Sequence, residues 1–192
     1  KKGRRHIEYY LAQTSGFPEY NILMKLSVPL RNQIMFQAYR DVIEDIDFFE
    51  DMDPSFVSAL ILKWMPFSCP AGKAIAKEGE HGDEMYFLRR GTIHILKHIP
   101  GAPQKHLLAI QTPGSCVGEH AVLTSKPRSA TILCSTYCEL FSIKKYDVDN
   151  LIKYFPAAGE RIRDIARQKM KALQEVTAAE AAARRLEDSV RD

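Results

Sequence analysis

Turn-forming residues recur every few positions between residues 67 and 145, so the elements there must be short. The segments between these turns are apolar or alternate between apolar and polar residues, which is the pattern of strands. Many short strands with regular turns predict a compact, antiparallel sandwich or barrel. The predicted strands are 67–69, 74–77, 84–89, 92–98, 106–111, 129–134 and 138–143.

Helical periodicity precedes the predicted strands. Residues 4–13 are predicted as one helix, and Ser27 is predicted to cap a second helix with Pro29 near its start. Asp53-Pro54 predicts the start of a third helix, because Asp is a capping residue and Pro suits the first position. The expected apolar face of the second helix contains Leu30, Ile34, Ala38, Val42 and Ile46. The expected stripe of the third contains Phe56, Val57, Leu60, Ile61 and Trp64.

Helical periodicity also returns after the last predicted strand. Residues 147–154 are predicted as a short helix that ends at Phe155-Pro156. A longer helix follows, with apolar residues at helical spacing from Ile162 to Val176. Residues 177–192 are rich in alanine and in charges of both signs, which predicts a solvated helix extension or a frayed tail.

Composition narrows the class of protein. The formal net charge of +3 over 192 residues gives no argument for binding nucleic acid or a membrane surface. There is no apolar run of about 18 residues and no visible signal peptide, although the chain begins at Lys1 and can be a fragment of a longer protein. The four cysteines form no C-x-x-C pair and no zinc pattern, so we expect buried, reduced thiols of a cytosolic compartment.

The run from Gly118 to Thr131 combines groups that suit a phosphorylated nucleoside. Gly118 lets the backbone approach a ligand closely, and Glu119 can accept hydrogen bonds from hydroxyl groups. A helical turn at residues 121–123 would turn free N–H groups toward an anion. Arg128 supplies a planar set of donors that suits a phosphate.

These residues resemble the phosphate-binding cassette of cyclic-nucleotide-binding domains, F-G-E-x-A-L-L followed by R-(S/T/A)-A. The sequence has Val117-Gly118-Glu119-His120-Ala121-Val122-Leu123 and then Arg128-Ser129-Ala130, with valine in place of the usual Phe and of one Leu. Further matching turns lie at Glu78-Gly79 and Arg90-Gly91. Residues 26–31 also resemble the linker that joins the pore to this domain in hyperpolarisation-activated and cyclic-nucleotide-gated channels.

The resemblance implies an α+β fold: a jelly-roll-like antiparallel β roll containing the cassette, flanked by an N-terminal helical linker and C-terminal helices. It divides the chain into a partial linker at 1–50, a cyclic-nucleotide-binding domain at 51–176 and a charged, alanine-rich helical tail at 177–192. The expected ligand is cAMP or cGMP, and no cofactor is expected besides it. The linker is expected to self-associate, giving a tetramer in the full-length protein on the cytoplasmic face of the plasma membrane.

The resemblance also assigns roles in the expected site. Arg128 would pair with the cyclic phosphate, and Glu119 would accept from the ribose 2′-hydroxyl. The amides around Gly118 and Ala121 would bind ribose and phosphate. Ser129 stands where Thr accompanies cGMP and Ala accompanies cAMP in some relatives, so the choice between the two nucleotides stays open. The positions that cap the base in relatives are Lys169, Met170 and Leu173.

The expected mechanism is a rearrangement driven by binding, in which the last helix closes over the base and the linker helices shift. No nucleophile–base pair or metal set is apparent, so no catalytic or metal-binding residue is predicted and the chain is not expected to be an enzyme. His120 is interpreted as an outward-facing variable position of the cassette. The alternatives are the regulatory domain of an ion exchanger or of a kinase subunit, and less favoured ones are a transcription factor or a domain that binds no nucleotide.

Overall fold

The computed structural model of this chain describes residues 25–99 and 101–191. Its strands there form two four-stranded antiparallel sheets, with the orders β1-β8-β3-β6 and β2-β7-β4-β5. The strands are β1 Met65–Cys69, β2 Ala74–Ala76, β3 Glu84–Arg90, β4 Ile93–Lys97, β5 His106–Gln111, β6 Cys116–Val117, β7 Thr131–Cys134 and β8 Cys138–Lys144. The predicted antiparallel β roll is confirmed. The sequence did not indicate β6, because two residues are too few to show an alternating pattern.

Helices precede and follow the β roll in the sequence, and one helix is inserted between two of its strands. They are α1 Val28–Ala38, α2 Arg40–Glu44, a 3-10 helix Asp47–Phe49, α3 Pro54–Ile61, α4 Glu119–Thr124, α5 Lys145–Tyr154 and α6 Pro156–Arg191. The last helix continues without interruption beyond residue 176, so the alanine-rich tail extends α6 as far as Arg191. The predicted helix over residues 4–13 lies outside the described residues. Among the described helices, none has both the length and the apolar character needed to cross a bilayer.

The predicted helix after Ser27 is wrong in its length and in the first part of its buried face. It ends at Tyr39, whose ring packs edge-on against Trp64 and Phe141, and a separate short helix follows. Leu30 and Ile34 are exposed, whereas Met35 and Tyr39, which were not expected on this face, are buried. Ile46 is buried as expected, and Val42 is partly buried against the same core. Ser27 occupies the N-cap position, but its side chain makes no capping hydrogen bond.

Alternation along the central strands gives the first sheet two buried faces. In β3, Phe87 faces the helices whereas Leu88 faces the second sheet, and in β8 the same is true of Phe141 and Leu140. The helix-facing core joins α1, the 3-10 helix, α3, α5 and the base of α6 around Trp64. The described helices before position 50 therefore share one core with the β roll.

The N-terminus of α3 is capped as the sequence predicts. The Asp53 carboxylate accepts a hydrogen bond of 2.7 Å from the Ser55 amide, and Pro54 follows at the first helical position. The predicted apolar stripe from Phe56 to Trp64 is buried. The cap thus orients a helix whose face forms part of the central core.

We expect Asp53→Ala to lower the free energy of unfolding by about 1 kcal/mol, because one amide of the first turn loses its acceptor. Urea denaturation of the wild type and the variant measures this change. Asp53→Asn is the control, since an asparagine side chain can still accept the bond and should recover most of the stability. An alanine variant as stable as the wild type would contradict a stabilising role for the cap.

Candidate functional site

A cavity of about 260 Å³ lies between the β roll and α6. Strands β4 to β7, the cassette and α6 all contribute to its lining. All of the eight predicted site residues line it: Gly118, Glu119, Ala121, Arg128, Ser129, Lys169, Met170 and Leu173. The fold thus brings together groups that are separated by up to 55 positions in the sequence (173 minus 118). Their individual roles in binding stay predictions.

The backbone of Arg128 is fixed by the loop between β2 and β3. Its amide donates to the Glu80 carbonyl at 2.8 Å, and its carbonyl accepts from the Gly79 amide at 2.9 Å. These two bonds hold the stretch between α4 and β7 against a neighbouring turn. The arginine side chain therefore starts from a defined position at the cavity wall.

The Arg128 guanidinium is buried, and no acidic side chain of the described residues is its partner. The residue is 6% exposed, and its Nη1 and Nη2 atoms donate to the carbonyls of Gly118 (3.0 Å) and Glu84 (2.5 Å). Its Cζ atom lies 5.7 Å from the centre of the Tyr86 ring. A guanidinium has five N–H donors, and the other three have no hydrogen-bond partner among the described residues. Because buried charges are normally paired, this arrangement suits an anion in the cavity.

The carboxylate of Glu84 is occupied elsewhere and does not neutralise Arg128. It forms an ion pair of 2.5 Å with Lys144 and accepts from the Tyr86 hydroxyl at 3.1 Å. Burial, together with the nearby Glu84 carboxylate, raises the pKa of Tyr86, so its ring remains neutral beside the guanidinium. The hydrogen bond to Glu84 likewise raises the pKa of Lys144. Only the backbone carbonyl of Glu84 is left for Arg128.

Two glycines leave the space that the guanidinium fills. A Cβ atom at Gly82 would lie 2.1 Å from the Arg128 Nε atom, and one at Gly118 would lie 2.5 Å from Nη1. Gly118 also has a φ of +85°, which side chains other than glycine rarely adopt. Gly82 has no such backbone requirement, so contact with Arg128 accounts for the glycine at this position.

We expect Gly82→Ala to move the guanidinium away from the cavity while the β roll remains folded. The added methyl group meets the far end of a flexible side chain, so the arginine can shift at little cost to the fold. Affinity for an anion held by Arg128 should fall by about tenfold, equivalent to losing one charge-assisted hydrogen bond. Ligand titration and thermal unfolding measure the two effects separately. Unchanged affinity would show that Gly82 does not set the position of Arg128.

Glu119 is the buried carboxylate of the cavity, and Lys169 of α6 is its cationic neighbour. Glu119 is 6% exposed, and its Oε1 atom lies 3.8 Å from the Lys169 Nζ atom. The same Nζ atom donates to the Cys116 carbonyl at 2.8 Å. Lys169 therefore connects α6 to β6 and to the carboxylate assigned to the ribose. The predicted role of Lys169 as a contact to the base stays a prediction.

Three lining residues with polar or titratable side chains were not predicted as site residues: Gln111, Cys116 and His120. His120 is half-buried rather than outward-facing, and its Nδ1 atom has no hydrogen-bond partner among the described residues. Burial lowers the pKa of His120, with a smaller contribution from Lys126. Complete burial raises the pKa of Cys116, so its thiol remains protonated.

Within the described residues, no group of three or more His, Cys, Asp or Glu side chains could hold a metal ion.

The rest of the cavity wall is mainly apolar. It combines inward-facing strand residues with one face of α6, and the alternation within β5 could have identified part of it from sequence. The apolar members are Ile95, Leu108, Ala109, Val117, Ala121, Ala130, Ile132, Ala166, Met170, Ala172, Leu173 and Val176. The end of the cavity near the cassette therefore carries the Arg128 guanidinium and the Glu119 carboxylate. The region between β4, β5 and α6 is apolar.

Known proteins resemble this chain in both sequence and fold. Among curated relatives, potassium/sodium hyperpolarization-activated cyclic nucleotide-gated channel 3 of Homo sapiens is 32% identical over 165 residues, which is 85% of this chain and 20% of the channel. Channel 4 of Homo sapiens is 28% identical over 165 residues, again 85% of this chain but 13% of the relative. The chain thus spans a fifth or less of the curated relatives it matches.

The solved structure of cAMP bound PfPKA-R (141-441) superposes with a TM-score of 0.65 at 24% identity. The match covers 77% of this chain and 48% of that one, and at this identity it is a likeness of fold alone. Residues 66–155 match the family model of the cyclic nucleotide-binding domain. That range includes β1 apart from its first residue, β2 to β8, the cassette and all of α5. With its cassette residues gathered around one cavity, this part of the chain belongs to the cyclic nucleotide-binding domain family.

Proposed function

We propose that the chain is the cyclic-nucleotide-sensing region of a ligand-regulated ion channel, and that its cavity binds cAMP or cGMP. The buried Arg128 guanidinium, with three free donors and no acidic partner among the described residues, is the observation that carries the binding part. A cyclic phosphate would supply the missing negative charge and accept several of these hydrogen bonds.

The other expected contacts follow from the position of the phosphate. Glu119 lines the same cavity and can accept a hydrogen bond from a ribose hydroxyl. The apolar wall between the strands and α6 offers a surface for a purine, and Met170 and Leu173 contribute to it. Such a site, mostly apolar with a few convergent polar groups, is typical of pockets for small molecules.

The length of the match to the channel relatives supports the proposal that this chain is part of an ion channel. The channel relatives match 165 residues of this chain, whereas the family model covers residues 66–155 only. The similarity therefore includes helical segments outside the nucleotide-binding domain. We place the chain on the cytoplasmic face of a plasma-membrane protein, with its N-terminal helices forming a ring of four copies. The likeness to PfPKA-R is one of fold and gives no specific support to the kinase-subunit alternative.

Coupling would run from α6 to the helices before the roll. The first turns of α6 contribute Ala158 and Ile162 to the core that also holds Phe48, Phe49 and Trp64. The rings of Phe56 in α3 and Phe155 beside α6 lie 5.7 Å apart. A shift of α6 over the ligand would therefore disturb packing against the N-terminal helices. Ligand can bias such a movement only by binding one arrangement more tightly, with a coupling of about 1–3 kcal/mol per site.

A chimeric channel tests the proposed context. This chain would replace the matching region of human potassium/sodium hyperpolarization-activated cyclic nucleotide-gated channel 3, and voltage activation would be recorded with and without cAMP or cGMP. We expect a nucleotide-dependent shift of the activation voltage that Arg128→Glu removes. A chimera that conducts but does not respond, made from a chain that binds nucleotide in solution, would contradict the channel context and leave the binding site intact.

A further inference from the structure

Gln111 directs a side-chain amide toward the cavity from the end of β5. In this strand Ile110 is 56% exposed, so it faces outward, and its neighbours Ala109 and Gln111 face inward and line the cavity. The cross-strand partners of these two residues, Ile95 and Ile93, are both buried. The strand geometry thus fixes the direction of the glutamine side chain.

The Gln111 amide is a polar group that makes no hydrogen bond holding the fold together. It forms no hydrogen bond with any described residue, although it offers an oxygen acceptor and an NH₂ donor. In the proposed binding mode, Arg128 takes the phosphate and Glu119 the ribose. The base then lies between β4, β5 and α6, where Gln111 contributes the amide to an otherwise mostly apolar wall.

Two other polar residues near this region, Lys169 and Ser129, have different expected partners. His120 also lines the cavity and its Nδ1 atom has no partner among the described residues, but it belongs to α4 of the cassette, next to Glu119, and not to the wall between β4, β5 and α6. The Lys169 ammonium is held by the Cys116 carbonyl and by Glu119. Ser129 directly follows Arg128, close to where the phosphate is expected. Position 6 of the purine, which is an amino group in adenine and an oxygen in guanine, is therefore left to Gln111.

We propose that Gln111 binds the purine edge and makes this site select adenine over guanine, an inference that rests on the proposed nucleotide function. Adenine presents a donor beside an acceptor on two edges, N6 with N7 and N6 with N1, and an amide complements both. Guanine presents two acceptors, O6 and N7, on the first of these edges. The amide can therefore pair with either of these edges of adenine, whereas it can pair with only one of the corresponding edges of guanine.

Titration calorimetry of the full chain with cAMP, cGMP and cyclic inosine monophosphate tests this assignment. The inosine nucleotide carries oxygen at position 6 but lacks the 2-amino group of guanine, so it separates position 6 from any contact between Ser129 and that amino group. We expect the wild type to bind cAMP about tenfold more tightly than the inosine nucleotide, as for a good amide–adenine pair. In Gln111→Leu the ratio should fall to about one.

Two further variants complete the experiment. Ile110→Ala, which changes the outward-facing neighbour, should keep the wild-type ratio, and Gln111→Asn should give an intermediate one. An unchanged ratio between cAMP and the inosine nucleotide in Gln111→Leu would overturn the role of Gln111, as would a wild type that prefers the inosine nucleotide or cGMP. Failure of the proposed function looks different, because the wild type would then bind none of the three nucleotides.

Discussion

Replacing Arg128 with alanine is expected to weaken cyclic-nucleotide binding by about 100-fold or more while the protein remains folded. In the proposed mode the guanidinium gives the phosphate at least two charge-assisted hydrogen bonds, each worth about 1.5–3 kcal/mol. The side chain has no acidic partner among the described residues, so its removal leaves no buried carboxylate unpaired. Calorimetric titration measures the affinity, and thermal unfolding measures the fold.

Three variants refine this prediction. Arg128→Glu should bind still more weakly, because a carboxylate would face the phosphate. Arg128→Lys should retain part of the affinity, since lysine keeps the charge but loses the planar pair of donors. Arg90→Ala removes an exposed arginine of β3 and is the matched control, with affinity unchanged. Wild-type affinity in a folded Arg128→Ala variant would contradict the assignment of the cassette.

Trp64→Ala is expected to lower the free energy of unfolding by about 3–5 kcal/mol, the usual cost of removing a large buried aromatic ring. Trp64 is 1% exposed, and its ring stacks on Phe141 with centres 4.5 Å apart. It also packs against Phe87 of β3 and Tyr39 after α1. The substitution would open a cavity where the N-terminal helices meet the β roll. Chemical denaturation of the full chain measures the loss.

Trp64→Phe is the control for the core prediction. The Trp64 Nε1 atom is buried without a hydrogen-bond partner among the described residues, so phenylalanine removes an unsatisfied donor while keeping an aromatic ring. We expect this variant to lose much less stability than Trp64→Ala. Equal losses in the two variants, or a negligible loss in Trp64→Ala, would contradict a central packing role for the indole ring.

The sequence predicted the β roll well because turn residues and alternation are local signals. All of the seven predicted strands are present, and Asp53-Pro54 begins α3 as predicted. The helix after Ser27 was predicted less well, since its buried face depends on which residues meet Trp64 and Phe141. Local periodicity favoured Leu30 and Ile34, whereas tertiary contacts bury Met35 and Tyr39 instead.

Several residues that line the cavity could be predicted from the sequence, but the contacts between them could not. The cassette motif indicated Glu119 and Arg128, and the resemblance added Lys169, so each was identified before its neighbours were known. The bond from Lys169 to the Cys116 carbonyl and the fit of Gly82 around Arg128 depend on side-chain positions over long sequence distances. Gln111 carried a signal in the alternation of β5, but no motif distinguishes it from other strand residues.

Titration calorimetry of the full chain with cAMP and then cGMP tests whether a cyclic nucleotide binds in the cavity beside Arg128. We expect saturable binding of one nucleotide per chain, tighter for cAMP, with the heat of binding lost in Arg128→Glu. Absence of saturable binding by either nucleotide at millimolar concentration, in protein shown to be folded, would contradict the proposed binding.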